Sequence, residues 1–392
     1  MYYISSEAVV ERIESDCRTF RAILDFGGRM YAGAEVGRIK IEHAQSEDDT
    51  IQIGGVLSRY AEIKLYSDHH PSKGNVFRLY LYLLDWGGTA GDTTYAELHR
   101  MTHSALSAFT HDQLQTAGQF PDSDGVPLDG ILIPMGEFVV SKVKISGIET
   151  TLDCYDKLGA DKVYTPGVTF PADSFDVVDD VIEQLGIEGR GYVSSGHFKT
   201  ASGGYYLTAS GQKILTSAEY AFTVTQPPDG TACRELLGWI AAMYGGNGVL
   251  DRNGKYITMF ASSDSPVKLL QNRINEPDAA EADTQIKGMR CIVDDNTELT
   301  AGDMTDPDDP TIVEFACPYM TSERLSVLWQ QLSRIRWRPG SVTERMGDPR
   351  RDMGDKLHIP TLGGITLLAT GVTFDFDGGL QTDCESCGNL EV

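Results

Sequence analysis

One stretch of the chain, residues 231–260, joins a helix, a helix stop and a hairpin, and it constrains the fold around it. Thr231 is the expected N-cap of the helix, because its hydroxyl can accept a hydrogen bond from a first-turn amide. Apolar or small residues then recur at steps of three and four, namely Cys233, Leu236, Leu237, Ile240, Ala241 and Tyr244. This spacing predicts a helix over 231–244 with one buried stripe.

The helix is followed at once by a hairpin signal. Gly245 and Gly246 supply the left-handed backbone that commonly ends a helix. Asp251 and Gly254 bound a turn sequence that predicts a hairpin over 249–260. Because no side chain here suggests catalysis, we interpret the whole stretch as core packing.

Length and composition indicate a multidomain globular chain. The sequence has 392 residues, which predicts two or three domains, and its hydrophobic content of 41% is enough to form their cores. Its longest apolar run, near residues 79–84, is far shorter than the roughly 20 residues that a membrane span needs. No apolar signal segment is visible at the N-terminus, so we expect the protein to be made and assembled in the cytoplasm.

The charge balance argues against a protein that grips nucleic acid. The formal net charge is −24, and such a surface repels phosphate. It remains compatible with a wall past which nucleic acid slides without sticking. The seven cysteines are scattered and odd in number, which favours reduced thiols over a disulfide framework.

The order of elements predicts an α+β, mainly β fold whose first domain is a small barrel or sandwich, and the family resemblance given below implies two similar small β-barrel domains. The first domain spans 1–160, with an inserted strand, helix and loop over about 69–130. A small middle α/β region over 161–262 contains the helix 231–244, the hairpin 249–260 and an acidic helix over 173–185. The second barrel domain spans 263–392 and contains a helix over 322–337.

Finer secondary-structure assignments complete this prediction. Short strands are expected at 36–41, 50–53, 61–66, 76–86, 131–133, 138–145, 357–359, 365–369 and 372–376, and a helix at 94–117. In the acidic helix, Asp173 or Ser174 is the expected cap, and the acidic residues of its first turns are favoured by the helix dipole.

A weak repeat links the two ends of the chain. Residues 138–154 resemble residues 365–384, and we align Val143 and Ile145 with Val372 and Phe374, with one residue inserted in the second copy. In the same alignment, Asp153–Cys154 lies opposite Asp383–Cys384, and the likeness extends upstream to 135–137 and 353–355. A duplicated β domain would let three copies form a ring of near-sixfold symmetry.

Catalytic and metal-binding signatures are fragmentary, so we expect no enzyme, no cofactor and no metal site. The chain has no HExxH or GxSxG motif, and its glycine-rich run at 87–91 lacks the ending of a phosphate loop. His99 and His103 lack a third ligand, Cys384 and Cys387 form a single CxxC pair, and the Asp-rich turn at 122–125 lacks a distal acid.

A cluster of arginines in the second β region departs from the general acidity. It comprises Arg334, Arg336, Arg338, Arg345, Arg350 and Arg351. The C-terminal end of a helix favours cations and would account for the first three. The alternative is a contact with the acidic surface of a neighbouring subunit, made by Arg334, Arg336, Arg338, Arg350 and Arg351.

Taken in order, these motifs resemble the hub proteins of phage tails and of related contractile injection particles and bacteriocins. The structural motif residues that carry the resemblance are Thr231, Arg234, Glu235, Leu237, Gly238, Ile240, Asp251, Gly254, Lys255, Gly354 and Asp355. The likeness covers about residues 18–388. Residues 136–166 resemble the exit from the first barrel of such hubs, and residues 354–388 resemble the end of the second.

The resemblance implies a structural, non-enzymatic homotrimer that forms a pseudo-sixfold ring in a virion or a phage-tail-like particle. Its partners would be other copies of itself, a tail tube or distal tail protein, a central spike, needle or fibre protein, and the tape-measure protein. DNA would pass only as cargo, and no stable membrane insertion is expected. Two alternatives remain at this point, a cell-wall-degrading enzyme and a carbohydrate-binding adhesin of the host surface.

Overall fold

The structure, a computed structural model, describes residues 7–15, 18–45, 51–84, 130–190, 192–193, 197–198, 222–261 and 266–388. This part of the chain is mainly β, as the sequence predicts. Its α-helices are α1 (Glu7–Glu14), α2 (Ser174–Gln184), α3 (Cys233–Met243) and α4 (Ser322–Leu332). None of these helices has the length and apolar character needed to cross a membrane.

The strands fall into an N-terminal and a C-terminal series. The first series is β1 (Phe20–Asp25), β2 (Met30–Ala32), β3 (Val36–Ala44), β4 (Tyr60–Tyr66), β5 (Val76–Leu84), β6 (Gly130–Ser146), β7 (Glu149–Tyr155), β8 (Ala172–Asp173), β9 (Tyr192–Val193), β10 (His197–Phe198), β11 (Thr223–Val224), β12 (Asn247–Leu250) and β13 (Tyr256–Met259). The second series is β14 (Val267–Lys268), β15 (Ile274–Ala279), β16 (Thr284–Gln285), β17 (Gly288–Asp294), β18 (Thr297–Gly302), β19 (Ile312–Ala316), β20 (Arg336–Trp337), β21 (Gly340–Glu344), β22 (Lys356–Ile359), β23 (Ile365–Leu368), β24 (Gly371–Phe376) and β25 (Leu380–Ser386).

One antiparallel sheet of eleven strands joins the two ends of the chain. Its order is β15-β21-β25-β24-β3-β4-β7-β6-β5-β1-β2. Side chains alternate along each strand, so that every second residue points into one large core on the inner face. That core includes Ile63, Leu152, Val372 and Cys384, which come from both ends of the sequence. The two β regions therefore share a core.

The same four-strand arrangement occurs twice in this sheet. We call β3, β4, β6 and β7 the first unit, and β15, β21, β24 and β25 the second unit. In each unit the four strands, counted along the chain, stand in the spatial order one, two, four, three, and all neighbours are antiparallel. The units are joined directly, because the third strand of the second unit, β24, pairs with the first strand of the first unit, β3.

The register of the hairpins corrects the sequence alignment of the repeat. Cys154 lies opposite Val140, and Cys384 lies opposite Val372, so Val140 is the equivalent of Val372. Lys142, Val143, Lys144 and Ile145 then correspond to Thr373, Phe374, Asp375 and Phe376. The alignment of Val143 and Ile145 with Val372 and Phe374 is wrong, although that of the two Asp-Cys pairs agrees with the register.

The misalignment arises in the turn of the hairpin, which has four residues between Ile145 and Thr150 but three between Phe376 and Leu380. The ladder between β6 and β7 also shifts between Val140 and Lys142, so Ser141 is a further residue that the second copy lacks. Both insertions are therefore in the first copy. The upstream likeness is also wrong, since Gly136 lies inside β6, where it faces Leu79 of β5, whereas Gly354 precedes β22.

Several boundaries differ from those expected. The strands expected at 131–133 and 138–145 form one strand, β6, in which the break appears as an irregularity opposite Leu79 and Tyr80. Residues 51–53 form no strand. Helix α4 ends at Leu332, and the chain then enters β20. Of the insertion 69–130, the structure describes β5 within the main sheet, and the helix expected at 94–117 lies outside the described residues.

The middle region packs two helices and a hairpin around a second core. Helix α2 begins as expected, with the Asp173 carboxylate accepting a hydrogen bond from the Phe175 amide at 2.8 Å. Helix α3 and the hairpin of β12 and β13 confirm the prediction for 231–260. The predicted Thr231 cap is wrong. The Cys233 amide donates to the Lys162 carbonyl at 2.7 Å, and the Thr231 hydroxyl donates to the Pro228 carbonyl at 2.7 Å.

Candidate assembly surface

The outer face of the two units is a continuous polar surface that crosses the junction between them. Its exposed or half-buried charged side chains are Arg38, Lys40, Glu42, Glu62, Lys64, Lys142, Lys144, Glu149, Asp153, Asp278, Asp375, Asp383 and Glu385. Neighbouring strands place opposite charges side by side, as with Lys40 beside Glu62 and Asp375 beside Lys40. The surface therefore carries both signs, arranged in pairs across strands.

The junction between the units shows how one unit binds the next. Six consecutive residue pairs join β24 and β3, from Gly371 opposite Ala44 to Phe376 opposite Ile39. On the inner face, Phe374 lies in the shared core. On the outer face, the Arg38 guanidinium donates through Nε to the Asp375 carboxylate at 3.0 Å. A backbone ladder, an apolar inner side and an outer ion pair together seal the junction.

Two strand segments of the units lack such a neighbour among the residues that the structure describes. Strand β5 pairs with β6 as far as Val139, and the backbone of Val140 is hydrogen-bonded to Gly74 and Asn75, so residues 141–146 of β6 have β7 on one side and no strand on the other. At the far end of the sheet, β15 pairs only with β21. Ile145 and Ile148, at the free end of the β6–β7 hairpin, are 53% and 60% exposed.

A buried cluster of ion pairs ties the middle region to the second unit. Arg252, in the turn between β12 and β13, donates through Nε to the Asp352 carboxylate at 3.0 Å and through Nη2 to the Arg351 carbonyl at 2.5 Å. It also donates to the Pro349 carbonyl. The Arg252 side chain is 1% exposed and that of Asp352 is 5% exposed. Removing either partner would leave a buried charge of the other without compensation.

The loop at 345–355 holds two further buried arginines. Arg351 donates to the Glu344 carboxylate at 2.6 and 3.0 Å, and Arg350 forms an ion pair with Asp348 at 2.7 Å and with Glu14 at 2.9 Å. Although burial alone would raise the pKa of Asp348, the Arg351 and Arg350 guanidinium groups hold that pKa well below its ordinary value. Arg350 and Arg351 thus neutralise carboxylates inside the chain, and their contact with a neighbouring subunit stays a prediction.

The other arginines of the predicted cluster lie nearer the surface. Arg334 and Arg336 are exposed, and Arg338 forms an ion pair with Asp283 at 2.8 Å. Because helix α4 ends at Leu332, only Arg334 lies close enough to its C-terminal end to interact with the helix dipole. A role of Arg334, Arg336 and Arg338 in a subunit contact stays a prediction.

The motif residues of helix α3 fix the helix on the segment 51–57. Arg234 donates to the Val56 carbonyl at 3.1 Å. A Cβ atom placed on Gly238 would lie 2.3 Å from the Gly54 carbonyl oxygen, so only glycine permits this approach. Leu237 and Ile240 are buried in the middle core, and Glu235 lies in the first helical turn. These positions serve packing, as the sequence analysis interpreted them.

The remaining motif residues shape turns. The Asp251 carboxylate accepts hydrogen bonds from the Asn253 and Lys255 amides, both at 2.9 Å, and Gly254 has a positive φ of 77°. In the second unit, the Asp355 carboxylate accepts a hydrogen bond from the Asp352 amide at 2.9 Å. Gly354, with a φ of 86°, donates to the Ala369 carbonyl at 2.6 Å. The Asp352–Asp355 turn therefore positions the carboxylate that Arg252 binds.

A buried histidine lies beside this cluster. His43 on β3 is 5% exposed, and Arg59 Nε approaches its Nδ1 at 3.4 Å. Burial, together with the charges of Arg59 and Arg252, lowers the pKa of His43 well below its ordinary value. The imidazole is therefore neutral in the folded protein near pH 7.

The cysteines of the CxxC pair and Asp180 of the acidic helix lie in contacts within the chain. No group of three His, Cys, Asp or Glu side chains among them is arranged to hold a metal ion. Cys384 and Cys387 are buried, and burial raises the pKa of the Cys384 thiol. Asp180 of the acidic helix accepts from the Tyr164 hydroxyl at 2.6 Å. His99, His103 and the Asp-rich turn at 122–125 lie outside the described residues.

Sequence reasoning missed the ionic cluster and the junction of the units. The run 345–355 alternates arginine with aspartate, and that dense mixture of opposite charges is the signal that could have indicated paired burial. The junction had no comparable signal, because the charges and apolar residues of β3 and β24 match those of any surface strand.

Comparisons with known proteins give structural matches only. No family model matches the sequence, and no curated protein matches it. Among solved structures, the 43 kDa tail protein of prophage MuSo2 from Shewanella oneidensis shares 11% identity, with a TM-score of 0.45, over 93% of this chain and 96% of that chain. A tail protein from Neisseria meningitidis MC58 shares 11% identity, with a TM-score of 0.49, over 94% of this chain and 97% of that one. The prophage tail protein gp18 from Listeria monocytogenes EGD-e shares 9% identity, with a TM-score of 0.42, over 95% of each chain. All three of these structures are of tail proteins.

Proposed function

We propose that this chain is a structural hub protein of a phage tail or of a related tail-like particle, and that it acts as a homotrimer. The observation that carries the proposal is the repeated four-strand unit, which occurs twice in one sheet with the same order and direction of strands. The paired residues of the hairpins of the two units, β6–β7 and β24–β25, lie within residues 136–166 and 354–388, the two segments that resemble the ends of the barrels in hub proteins. The proposal extends to the virion or tail-like particle as the location of the protein.

The repeat and the parts outside it suggest how one ring could meet two kinds of partner. Three copies of the chain contribute six similar units, which can present a near-sixfold surface to a tail tube or distal tail protein. Other parts occur once per chain, among them the helices α2 and α3 and the segment from β16 to β20, which lies between the first two strands of the second unit. In a ring of three chains these parts repeat only threefold, which suits a central spike, needle or fibre.

A ring built in this way would also surround a channel. We propose that the tape-measure protein and DNA pass through that channel as cargo, without a binding site for either. The paired charges on the outer face of the sheet are compatible with this role, since a surface of both signs offers phosphate no continuous basic groove. No arrangement of the described residues favours a cell-wall-degrading enzyme or a carbohydrate-binding adhesin as a second candidate.

The mass of the purified protein in solution tests the proposal. We expect a species of about three times the chain mass of 42.9 kDa by light scattering or native mass spectrometry. Negative-stain images should show rings with six similar lobes. A monomer at every concentration, with no ring in the presence of a tail tube or spike protein, would contradict the hub function.

A further inference from the structure

The pairing of the two units inside one chain defines a rule for pairing between chains. Within the chain, the third strand of one unit, β24, binds the first strand of the other unit, β3. The third strand of the first unit is β6, and the first strand of the second unit is β15. Both strands have a free edge among the described residues, along 141–146 of β6 and along the outer side of β15.

We propose that residues 142–145 of β6 in one copy pair antiparallel with β15 of the next copy, as β24 pairs with β3 within each chain. This inference rests on the proposed trimer and names its interface. Each copy offers one β6 edge and one β15 edge, so the contact is head-to-tail and closes into a ring when three copies meet. The added strands would extend the sheet by main-chain hydrogen bonds.

The register of the new contact follows from the register inside the chain. Val342 faces Cys384 and Ala61 faces Cys154, so Val342 and Ala61 are equivalent. The residues just before them, Ser341 and Tyr60, are then equivalent as well. Asp278 faces Ser341 and Glu42 faces Tyr60, so Asp278 is the equivalent of Glu42. By the same steps, Asn275 corresponds to Lys40 and Ile274 corresponds to Ile39.

Three residue pairs between copies result from these equivalences. Thr373 faces Glu42, Asp375 faces Lys40 and Phe376 faces Ile39 at the internal junction. Their counterparts place Lys142 opposite Asp278 of the next copy, Lys144 opposite its Asn275, and Ile145 opposite its Ile274.

The chemistry of these positions fits the contact. Lys142 and Asp278 carry opposite charges on the outer face, where the internal junction has the Arg38 and Asp375 pair. The Lys142 side chain is 75% exposed, and its ion pair with Asp153 spans 3.9 Å.

On the inner side of the same edge, Ile145 is 53% exposed, whereas its counterpart Phe376 packs against the shared core at the internal junction. The exposed isoleucine marks the place where a neighbouring strand is missing. Pro277, which has no amide hydrogen, falls at the bulge of β15, where the ladder to β21 also shifts.

Charge reversal tests the register. Lys142→Glu places two acids opposite each other, and Asp278→Lys places two bases opposite each other, while the double variant restores an opposite pair. A like-charge pair across strands lowers the association constant of one contact by about fivefold. Because a ring has three such contacts and trimer formation depends on the square of the concentration, the protein concentration at half-assembly rises by about tenfold. We expect each single variant to show this shift in light scattering, and the double variant to return to the wild-type concentration.

A matched control separates register from general electrostatics. Lys144→Glu makes the same change on the same strand and face, but its expected partner, Asn275, is uncharged and binds the Arg345 guanidinium, so we expect no weakening of assembly. The thermal unfolding of each diluted variant shows whether the chain itself is intact. The inference also predicts that a zero-length carbodiimide reagent joins Lys142 of one copy to Asp278 of another, as read by mass spectrometry of mixed light and heavy chains.

The outcomes distinguish the interface from the function. A wild-type trimer that is insensitive to both reversals, without rescue in the double variant, would overturn this pairing and leave the hub intact. A wild-type protein that stays monomeric would overturn both. Weakening by each reversal with recovery in the double variant, together with the cross-link between copies, would establish the contact.

Discussion

Replacing Arg252 by methionine should destabilise the fold strongly, because this side chain neutralises a buried carboxylate. Arg252 and Asp352 have side chains that are 1% and 5% exposed, and their nearest polar atoms are 3.0 Å apart. In Arg252→Met the Asp352 carboxylate keeps only Arg59, whose Nη2 is 3.9 Å away. The carbonyls of Pro349 and Arg351 also lose a donor. Breaking a buried pair by removing one partner costs about 3–5 kcal/mol, and we expect a loss in this range.

Urea unfolding, monitored by fluorescence at a fixed low protein concentration, measures this loss. Two further variants make the result specific. Arg38→Met removes an ion pair of an exposed side chain with Asp375 and should cost less than about 1 kcal/mol. The double variant Arg252→Met with Asp352→Leu removes both buried charges, and it should recover about half of the loss or more. A loss below about 1 kcal/mol for Arg252→Met, or a double variant less stable than the single one, would refute this account of the cluster.

Two further predictions concern the packing of helix α3 and the buried histidine. Gly238→Ala places a Cβ 2.3 Å from the Gly54 carbonyl oxygen, and the overpacking, which costs about 1–3 kcal/mol, should exceed the gain in helix propensity of about 1 kcal/mol. Gly379→Ala is the control, because nothing lies within 4 Å of a Cβ at that position. Equal urea midpoints for the two variants would contradict the prediction. Because the pKa of His43 is lowered in the folded protein, the imidazole of the unfolded chain is protonated at a higher pH than that of the folded chain. The free energy of unfolding should therefore be constant with respect to this group above about pH 6.5 and fall below it, by at most about 1.4 kcal/mol per pH unit. His43→Gln should therefore lose less stability than the wild type between pH 7 and 5, and parallel pH profiles of the two proteins would show that His43 is not the group responsible.

Local elements of the fold could be predicted from the sequence where periodicity and turn chemistry agree. Helix α3 and the hairpin after it were predicted because the apolar spacing, the glycine stop and the Asp251 turn all indicate the same structure. The prediction that Thr231 caps the helix was wrong, because a distant carbonyl, that of Lys162, satisfies the first amide of the helix. Nothing near Thr231 in the sequence indicates that partner.

The repeat could be detected from the sequence, but its register could not be. Hairpins with similar alternation align equally well after a shift of two residues, because such a shift keeps every side chain on the same face. The bulge at Ser141 adds a residue that ordinary polar sequence does not mark. The burial of Arg350 and Arg351 could not be predicted from the sequence for a related reason. Both residues resemble surface residues until their carboxylate partners are known, and one partner of Arg350, Glu14, is far away in the sequence.

The distribution of charge on the sheet changes the physical account of a channel. The exposed or half-buried charged side chains on the outer face of the two units comprise eight acidic and five basic residues, which is a small part of the net charge of −24. Most of the acidic excess therefore lies elsewhere on the protein. If this face lines the proposed channel, its low adhesion to DNA comes from charges paired across strands, and not from a strongly negative wall. Such a surface neither binds phosphate tightly nor repels it strongly at physiological salt, where charges separated by more than about 8 Å are largely screened from each other. A wall of this kind would let both DNA and a protein of either charge pass, which is what a channel for two different cargoes requires.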